Sequence, residues 1–369
     1  MSGKIKVLYI VSTLARRGPT NQLFNIVSNL NDDDFECKVV TLSPEAEDTL
    51  LPKFLQHGIE VKPLNLSRIG GFFWGCSSLK KVIYLYKPNI VHTQGIRSDG
   101  FAKWLKNKFG VKAVSTIRCL PNEDYPLQYG KIVGHLMAYR HLTILKGLDE
   151  VIAVSKSIDQ KLSITTTVIQ NGCDISRFSP VSDDEKLDLR RKLGLPTDRI
   201  VLISVGHLSA RKSPLTIVRA LMLVKNRKDF ELIFLGDGEL RPECEAVSKN
   251  EDNIRYFGRV NNVDEYLKAA DAFISASLSE GLPNSVLESL ACGVPVILSK
   301  IPQHQEIFES YKDEGLFFEP NNENALSKIL TSLTASGLRS LPTRTIVENN
   351  FDARQMSLRY QTLYKSMVN

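Results

Sequence analysis

The chain predicts an α/β protein built from two sheet domains, and three observations carry that expectation. Short apolar runs rich in Val and Ile alternate with helical periodicity through both halves, as in parallel sheets wrapped by helices. The length, 369 residues, exceeds what one hydrophobic core organises. Between 171 and 199 the composition turns polar and is punctuated by Gly172, Pro180 and Pro196, the composition of a linker. The expected domains are residues 1–180 and 187–345, followed by a last helix over about 352–367.

In the first half, strands are expected at 5–12, 37–42, 59–64, 89–93, 112–117, 150–154 and 166–170. Helices fill about 20–30, 46–57, 76–87, 98–109, 128–147 and 156–162. The first run, with a basic lead and an apolar centre, resembles a signal peptide, but Arg16-Arg17-Gly18 and a helical pattern follow at once, so a buried strand is the better reading. Gly18-Pro19-Thr20-Asn21 joins this strand to the first helix, where a glycine lets a ligand approach the backbone. It lacks the G-x-G-x-x-G spacing of a dinucleotide site.

Two later strands end in polar side chains, His92 with Gln94 and then Thr116 with Arg118, the second leading into Glu123, Asp124 and Tyr125. Such groups are costly if left unpaired inside and productive if they line a cleft. His92 satisfied by the core, or Arg118 paired with Glu123 and Asp124, are the structural alternatives. Gly70-Gly71-Phe72-Phe73-Trp74-Gly75 is expected as a loop, either packed or dipping into a membrane interface beside the basic helix 101–109.

The second half repeats the alternation, with strands at 199–205, 230–235, 253–257, 272–276, 294–298 and 315–318 and helices at 213–226, 239–249, 262–269, 284–292, 302–309 and 322–335. Its first strand ends in Gly206-His207, with Arg211 and Lys212 close behind. Two adjacent cations there can neutralise a diphosphate without a metal. Gly236 and the Gly258-Arg259-Val260 turn follow the next strands on the same sheet edge.

The most informative stretch is Glu280-Gly281-Leu282-Pro283-Asn284-Ser285-Val286-Leu287-Glu288. Proline suits a first helical position and Gly293 a helix stop, so a helix is expected from about Pro283 to Cys292. Free N–H groups in the backbone of residues 283 to 286 and the positive dipole end would face an anion. A carboxylate at each end of such a phosphate site suits hydroxyls on both sides of the phosphate, the shape of a nucleotide sugar.

Composition sets the remaining bounds. Hydrophobic content of 43% and charged content of 24% are ordinary for a globular chain, and no apolar run is long enough to span a membrane as a helix. Six scattered cysteines without a C-x-x-C pair read as reduced cytosolic thiols rather than as a disulfide framework or a zinc site. The net charge is +6, and residues 1–185 carry nearly all of it, with 23 Lys or Arg against 18 Asp or Glu. A basic first half suits an anionic partner, a phospholipid surface or a phosphate-bearing substrate. No basic and aromatic ladder suggests nucleic acid. Asp32-Asp33-Asp34, the one formal Asp-rich match, lies on the wrong edge of the sheet for a metal-bound diphosphate.

Glu280 with seven residues before Glu288, followed by Ala291-Cys292-Gly293-Val294-Pro295-Val296, resembles the E-x7-E signature of family-4 retaining glycosyltransferases. The Gly18 loop, Val151-Ile152-Ala153-Val154-Ser155-Lys156, Asn171-Gly172-Cys173-Asp174, Val205-Gly206-His207, Leu235-Gly236-Asp237-Gly238 and Phe257-Gly258-Arg259-Val260 are similar to its other landmarks, so the likeness covers nearly the whole chain. The resemblance implies the GT-B fold: two Rossmann-like domains with parallel sheets facing across a cleft, and a C-terminal helix crossing back to the first. It implies sugar transfer from a nucleotide sugar, generally without metal or other cofactor.

Carried over residue by residue, it gives Glu288 the ribose hydroxyls, Glu280 those of the donor sugar, and Arg211 and Lys212 the diphosphate. Gly18 and the backbone at Pro283, Asn284 and Ser285 would assist, His207, Gly236, Gly281 and Leu282 would complete the donor site, and Arg259 and Val260 would lie near the base. The first domain would take the acceptor through Thr20, Asn21, His92, Gln94, Arg118, Glu123, Asp124 and Tyr125. Two positions depart from the family: His207 stands where an Arg is common, with Arg211 able to compensate, and Arg118 stands where a histidine is common. Arg118 would contact either the donor or a phosphate on the acceptor. The Thr116-Ile117-Arg118 segment with Glu123-Asp124-Tyr125-Pro126 resembles a bacterial subset building capsule or O-antigen polysaccharide on a lipid-diphosphate carrier. That implies a UDP-sugar as donor, a lipid-linked glycan as acceptor and a peripheral place on the cytoplasmic face of the membrane. A transferase acting on a small free acceptor, and a non-catalytic nucleotide-sugar-binding protein, are the competing expectations.

Overall fold

The structure, a computed structural model, describes residues 3–311, 315–333 and 344–368, and for residues 68–73 the backbone alone. The chain forms two compact units, residues 1–172 with 353–369 and residues 173–352. The division thus falls at Gly172, at the start of the polar stretch.

The first unit holds a seven-stranded parallel sheet of β1 (Ile5–Val11), β2 (Phe35–Thr41), β3 (Glu60–Pro63), β4 (Ile90–Thr93), β5 (Lys112–Ile117), β6 (Glu150–Ala153) and β7 (Thr167–Val168), in the order β3-β2-β1-β4-β5-β6-β7. The second holds β8 (Ile200–Val205), β9 (Phe230–Leu235), β10 (Ile254–Gly258), β11 (Ala272–Ser275), β12 (Val296–Ser299) and β13 (Leu316–Phe318), in the order β10-β9-β8-β11-β12-β13. Helices cover these sheets, so central strands such as β1, whose Val7, Leu8, Tyr9 and Ile10 are all buried, read as continuous apolar runs. Strand order reverses between β1 and β4 in one unit and between β8 and β11 in the other. Ligands of open α/β sheets bind outside the carboxyl ends of strands at such switch points.

The last helix, Ala353–Val368, belongs to the first unit although it follows the second in sequence. Met356, Tyr360 and Tyr364 enter the core beside Val7, Tyr9 and Val114. Ser357 Oγ donates to the Ile26 carbonyl and Gln361 Nε2 to that of Asn29, tying the helix to the end of Gly18–Val27.

Two expectations are corrected. The glycine-flanked aromatic stretch is no loop: its backbone is helical, within Arg68–Tyr86. Gly75 is small because a Cβ there would lie 2.4 Å from Phe101 Cζ, so it permits helix contact and does not mark a turn. Trp74 is exposed, while the side chains of Phe72 and Phe73 fall outside the described residues. The single helix expected over 128–147 is a pair, Pro121–Tyr129 and Lys131–Leu145, broken at Gly130 with φ +80°. The basic helix Ile96–Phe109 is present, but Leu105 is buried and Trp104 is half-buried with its ring edge-on to Phe109.

Candidate active site

The carboxyl ends of β8 and β11, adjacent strands at the switch point of the second unit, bring Arg211, Lys212 and Glu280 together. Arg211 Nη1 donates to Glu280 Oε2 at 2.9 Å and to the Ser279 carbonyl at 2.6 Å. Lys212 Nζ reaches Glu280 Oε1 at 2.5 Å, and Ser277 Oγ donates to the same oxygen at 2.6 Å. A backbone bond from Leu278 N to Arg211 O joins the two loops. Glu280 is buried, which by itself would raise its pKa; Lys212 and Arg211, with the hydrogen bonds from Lys212 and Ser277, outweigh that and hold it near 2. The carboxylate is therefore ionised and can only accept hydrogen bonds, and the two cations around it leave the cluster with an excess positive charge.

Pro283 caps the helix Asn284–Ala291 instead of opening it, and as a proline it supplies no N–H. The anion-facing donors of this helix start are thus confined to residues from 284 onward. Glu288 lies on the second turn, half-buried, and no described residue donates a hydrogen bond to its carboxylate. Burial pushes its pKa up to about 7, with Arg177 opposing and Asp264 adding to the shift. Arg177 is itself committed to Asp264 at 2.7 Å. The two glutamates therefore differ: Glu280 already accepts from three side chains, two on Oε1 and one on Oε2, which leaves Oε2 room for one more donor, while Glu288 has no donor among the described residues.

The glycine turns after β8, β9 and β10 pack on one another. Gly236 N donates to Gly258 O at 2.7 Å, and Gly206 N to Leu235 O at 2.9 Å. A Cβ on Gly236, whose φ is +138°, would sit 1.9 Å from Gly206 O, and one on Gly238 2.4 Å from Leu208 O. These glycines are explained by backbone contact, which gives the sheet edge its shape. His207 is exposed and pairs with Glu239 at 3.0 Å, Arg259 is exposed, and Gly281, Asn284, Ser285 and Val260 are half-buried with Leu282 buried.

In the first unit, Gly18 opens the helix Gly18–Val27 after β1, and Thr20 Oγ1 bonds the Ala15 carbonyl. Thr20 and Gln94 line a pocket of about 160 Å³ with Arg17, Pro19 and Leu23, while Asn21 is half-buried. Arg118 Nε donates to Gln94 Oε1 at 2.9 Å and its Nη1 to Asn171 Oδ1 at 2.7 Å; its Nη2 is buried with no hydrogen-bond partner. The ion pair of Arg118 with Glu123 and Asp124 is not formed: Glu123 is exposed and pairs with Lys161 at 2.8 Å. His92 is corrected from a cleft position to the core. Its Nδ1 meets Tyr364 Oη at 2.6 Å and its Nε2 meets Thr116 Oγ1 at 2.8 Å, leaving neither nitrogen for a ligand. Burial, with Arg118, lowers its pKa to about 3, so the ring is neutral. The Tyr125 hydroxyl is likewise occupied, by His141 Nδ1 at 2.8 Å, whose Nε2 meets the buried Asp99 at 2.7 Å.

Sequence reasoning missed Ser277, Asn171 and His304 as contributors. Asn171 matters through its contact with Arg118, 53 residues earlier in the chain, which no local spacing signals, whereas Ser277 stands only three residues before Glu280 and is passed over because a lone serine at a strand end carries no motif. His304 is fully buried, its Nδ1 donates to the Ser299 carbonyl at 2.7 Å, and its Nε2 has no hydrogen-bond partner. Burial lowers its pKa to about 4 against the pull of Glu280.

Comparison with known proteins places these features. The model of glycosyl transferases group 1 matches residues 185–350, and that of glycosyltransferase family 4 matches residues 16–177. The O-antigen biosynthesis glycosyltransferase WclY of Escherichia coli is 24% identical over 98% of this chain and 99% of its own. The UDP-Gal:alpha-D-GlcNAc-diphosphoundecaprenol alpha-1,3-galactosyltransferase of Escherichia coli is 27% identical over 79% of each chain. In structure, Anabaena HepE in complex with UDP superposes with a TM-score of 0.81 at 18% identity, covering 98% of this chain and all of that one. The architecture is that of the GT-B glycosyltransferases.

Proposed function

The chain belongs to glycosyltransferase family 4, and on that premise we propose that it moves a hexose or N-acetylhexosamine, with retention of configuration, from a UDP-sugar to a lipid-diphosphate-linked glycan during bacterial surface polysaccharide synthesis. The observation that carries this reading is the Glu280–Arg211–Lys212 cluster at the switch point of the second sheet. The full-length likeness to WclY and the lipid-diphosphate acceptor in the galactosyltransferase's name support the polysaccharide pathway and the lipid carrier, and UDP in HepE supports the base.

In this reading Glu280 accepts hydrogen bonds from hydroxyls of the donor sugar and holds its anomeric carbon in place. The bond from that carbon to the diphosphate oxygen breaks, and Arg211 and Lys212 offset the charge gathering on the leaving group, a role given to these side chains and not to a metal. The acceptor hydroxyl attacks from the same face and passes its proton to the departing phosphate oxygen. Orientation and charge are then the protein's main contributions. Glu288 accepts from the ribose. Arg118, with its unpartnered Nη2, contacts a phosphate of the acceptor beside Gln94 and Thr20. The acceptor's carrier places the reaction at the cytoplasmic face of an anionic membrane.

The test is mass spectrometry of products when a panel of nucleotide sugars is offered with membrane extract containing lipid-linked acceptors. A sugar added to a lipid-linked glycan from a UDP donor is the expected result. Transfer only to a water-soluble acceptor, or none from any donor, would overturn it.

A further inference from the structure

The helix Lys131–Leu145 buries one face in the usual way, through Gly134, Ala138, His141 and Leu145 at helical spacing. Its opposite face should then be polar, and it is not: Ile132, Val133, Leu136 and Tyr139 are exposed, by 87%, 54%, 68% and 71%. Leu127 and Tyr129 on the partner helix Pro121–Tyr129 are exposed as well. Of the fourteen large hydrophobic side chains exposed among the described residues, six fall within 127–139. A helix with apolar side chains on two opposite faces is covered on both, by protein or by lipid.

The hairpin is held by design of its inner side. A Cβ on Gly134 would lie 2.4 Å from Pro126 Cα, so the two helices are in backbone contact. Tyr125, His141, Asp99 and Thr93 form a continuous hydrogen-bonded chain, Tyr125 Oη to His141 to Asp99 to Thr93 Oγ1 at 2.8, 2.7 and 2.6 Å, which fastens both helices to Ile96–Phe109 and β4. The apolar face is therefore turned outward by buried polar bonds that leave it no freedom to fold inward. Its charge indicates the occupant: apart from Glu123, paired with Lys161, and Asp124 in the first turn, the hairpin has no Asp or Glu. Residues 125–148 contain none, and the exposed Lys131, Arg140 and Lys146 flank the apolar side chains. Apolar side chains rimmed by Lys and Arg match the interface of an anionic bilayer.

We propose that the hairpin Pro121–Leu145 is the membrane-docking element of this chain, seating Leu127, Ile132, Leu136 and Tyr139 in the interface of an anionic bilayer while Lys131, Arg140 and Lys146 meet its headgroups. This assigns the surface to a segment other than the aromatic stretch 70–75. It rests on the reading that the acceptor is lipid-linked.

Co-sedimentation of the full chain with vesicles of phosphatidylethanolamine and phosphatidylglycerol, and separately of phosphatidylcholine alone, tests it. Binding to the anionic vesicles is expected to fall at least about tenfold in Ile132→Ser/Leu136→Ser/Tyr139→Ser, and by a similar factor in Lys131→Ala/Arg140→Ala/Lys146→Ala, whose residual binding should lose its salt dependence. The substituted side chains are exposed, and an unchanged circular dichroism spectrum and unchanged UDP binding by calorimetry verify the fold. Wild-type binding by the triple-serine variant overturns the proposal. So does a wild-type chain that ignores anionic vesicles but forms, in sedimentation equilibrium, a dimer that the triple-serine variant abolishes, since the face then belongs to a second copy. Face-dependent vesicle binding without transfer to any lipid-linked glycan would leave this assignment standing and remove the proposed reaction instead.

Discussion

The two sheets meet the same problem, polar side chains at buried strand ends, and solve it in opposite ways. In the first unit His92, Thr116, Tyr9, Tyr360 and Tyr364 form a closed neutral network, with Tyr9 and Tyr364 hydroxyls 3.1 Å apart and Thr116 Oγ1 3.2 Å from Tyr360 Oη. In the second, Glu280 keeps its charge under burial because two cations and a serine surround it. Burial decides the protonation state where no countercharge is near, and yields where one is. A neutral network serves the fold, since every donor and acceptor in it is spoken for. A charged cluster with surplus positive charge still has something to offer a ligand.

The contrast is broken most forcefully at Glu280. Glu280→Ala is expected to lower kcat by about 10²–10³-fold while UDP still binds, whereas His92→Ala should leave kcat nearly intact. Steady-state kinetics with calorimetry on both variants decide it, and equal losses would erase the distinction. Next comes Gly236→Ala, which drives a Cβ into the Gly206 carbonyl and should cost about 3 kcal/mol or more, read as a drop in Tm. An unchanged Tm would mean that the glycine loops do not shape the edge.

Acid sharpens the comparison further. His92 titrates near 3 in the fold against an ordinary 6.5, so the native state binds fewer protons and its stabilisation is lost as pH falls from 6.5 toward 3. Glu280, near 2 against 4.5, has the same sign but loses its contribution only as pH falls from 4.5 toward 2. At pH 5 the first unit should have lost about 2 kcal/mol from His92 and the second almost nothing from Glu280. Hydrogen exchange at pH 5 and 7 should show protection falling first around β4 and β5, and protection lost first around β8 and β11 would contradict this.

The smallest effect separates the two glutamates. Glu288 is raised to about 7, so its stability contribution runs the other way: ionising it costs stability as pH rises from 4.5 through 7. If ribose hydroxyls donate to its carboxylate, nucleotide affinity should rise about tenfold between pH 6 and pH 7.5, with a proton released on binding. Glu288→Gln should flatten that profile. A wild-type profile that is already flat would remove Glu288 from the nucleotide site.

Much of this was legible in the chain itself. Every expected strand exists, because central parallel strands are apolar on both faces and bounded by turn residues, and the signal is local. Arg211, Lys212 and the 280–288 stretch were legible for the same reason: each follows a strand directly, and strand ends in these folds share one edge. The role of Gly75 was misread as that of a turn, since a glycine needed for close approach has the same letter as one needed for a bend. His92 could not be placed, because its partner Tyr364 is 272 residues away.

The sequence by itself determined the two-sheet architecture, the family, and which residue types crowd the edge of the second sheet, since periodicity, strand-end chemistry and motif spacing are local properties. Only the tertiary structure decided that Glu280 is charged and held by three side chains while Glu288 has no donor among the described residues, that His92 is core, and that the apolar face of Lys131–Leu145 points outward. Each of these depends on which distant groups surround a side chain and on how much water is left beside it, and neither is written in neighbouring residues.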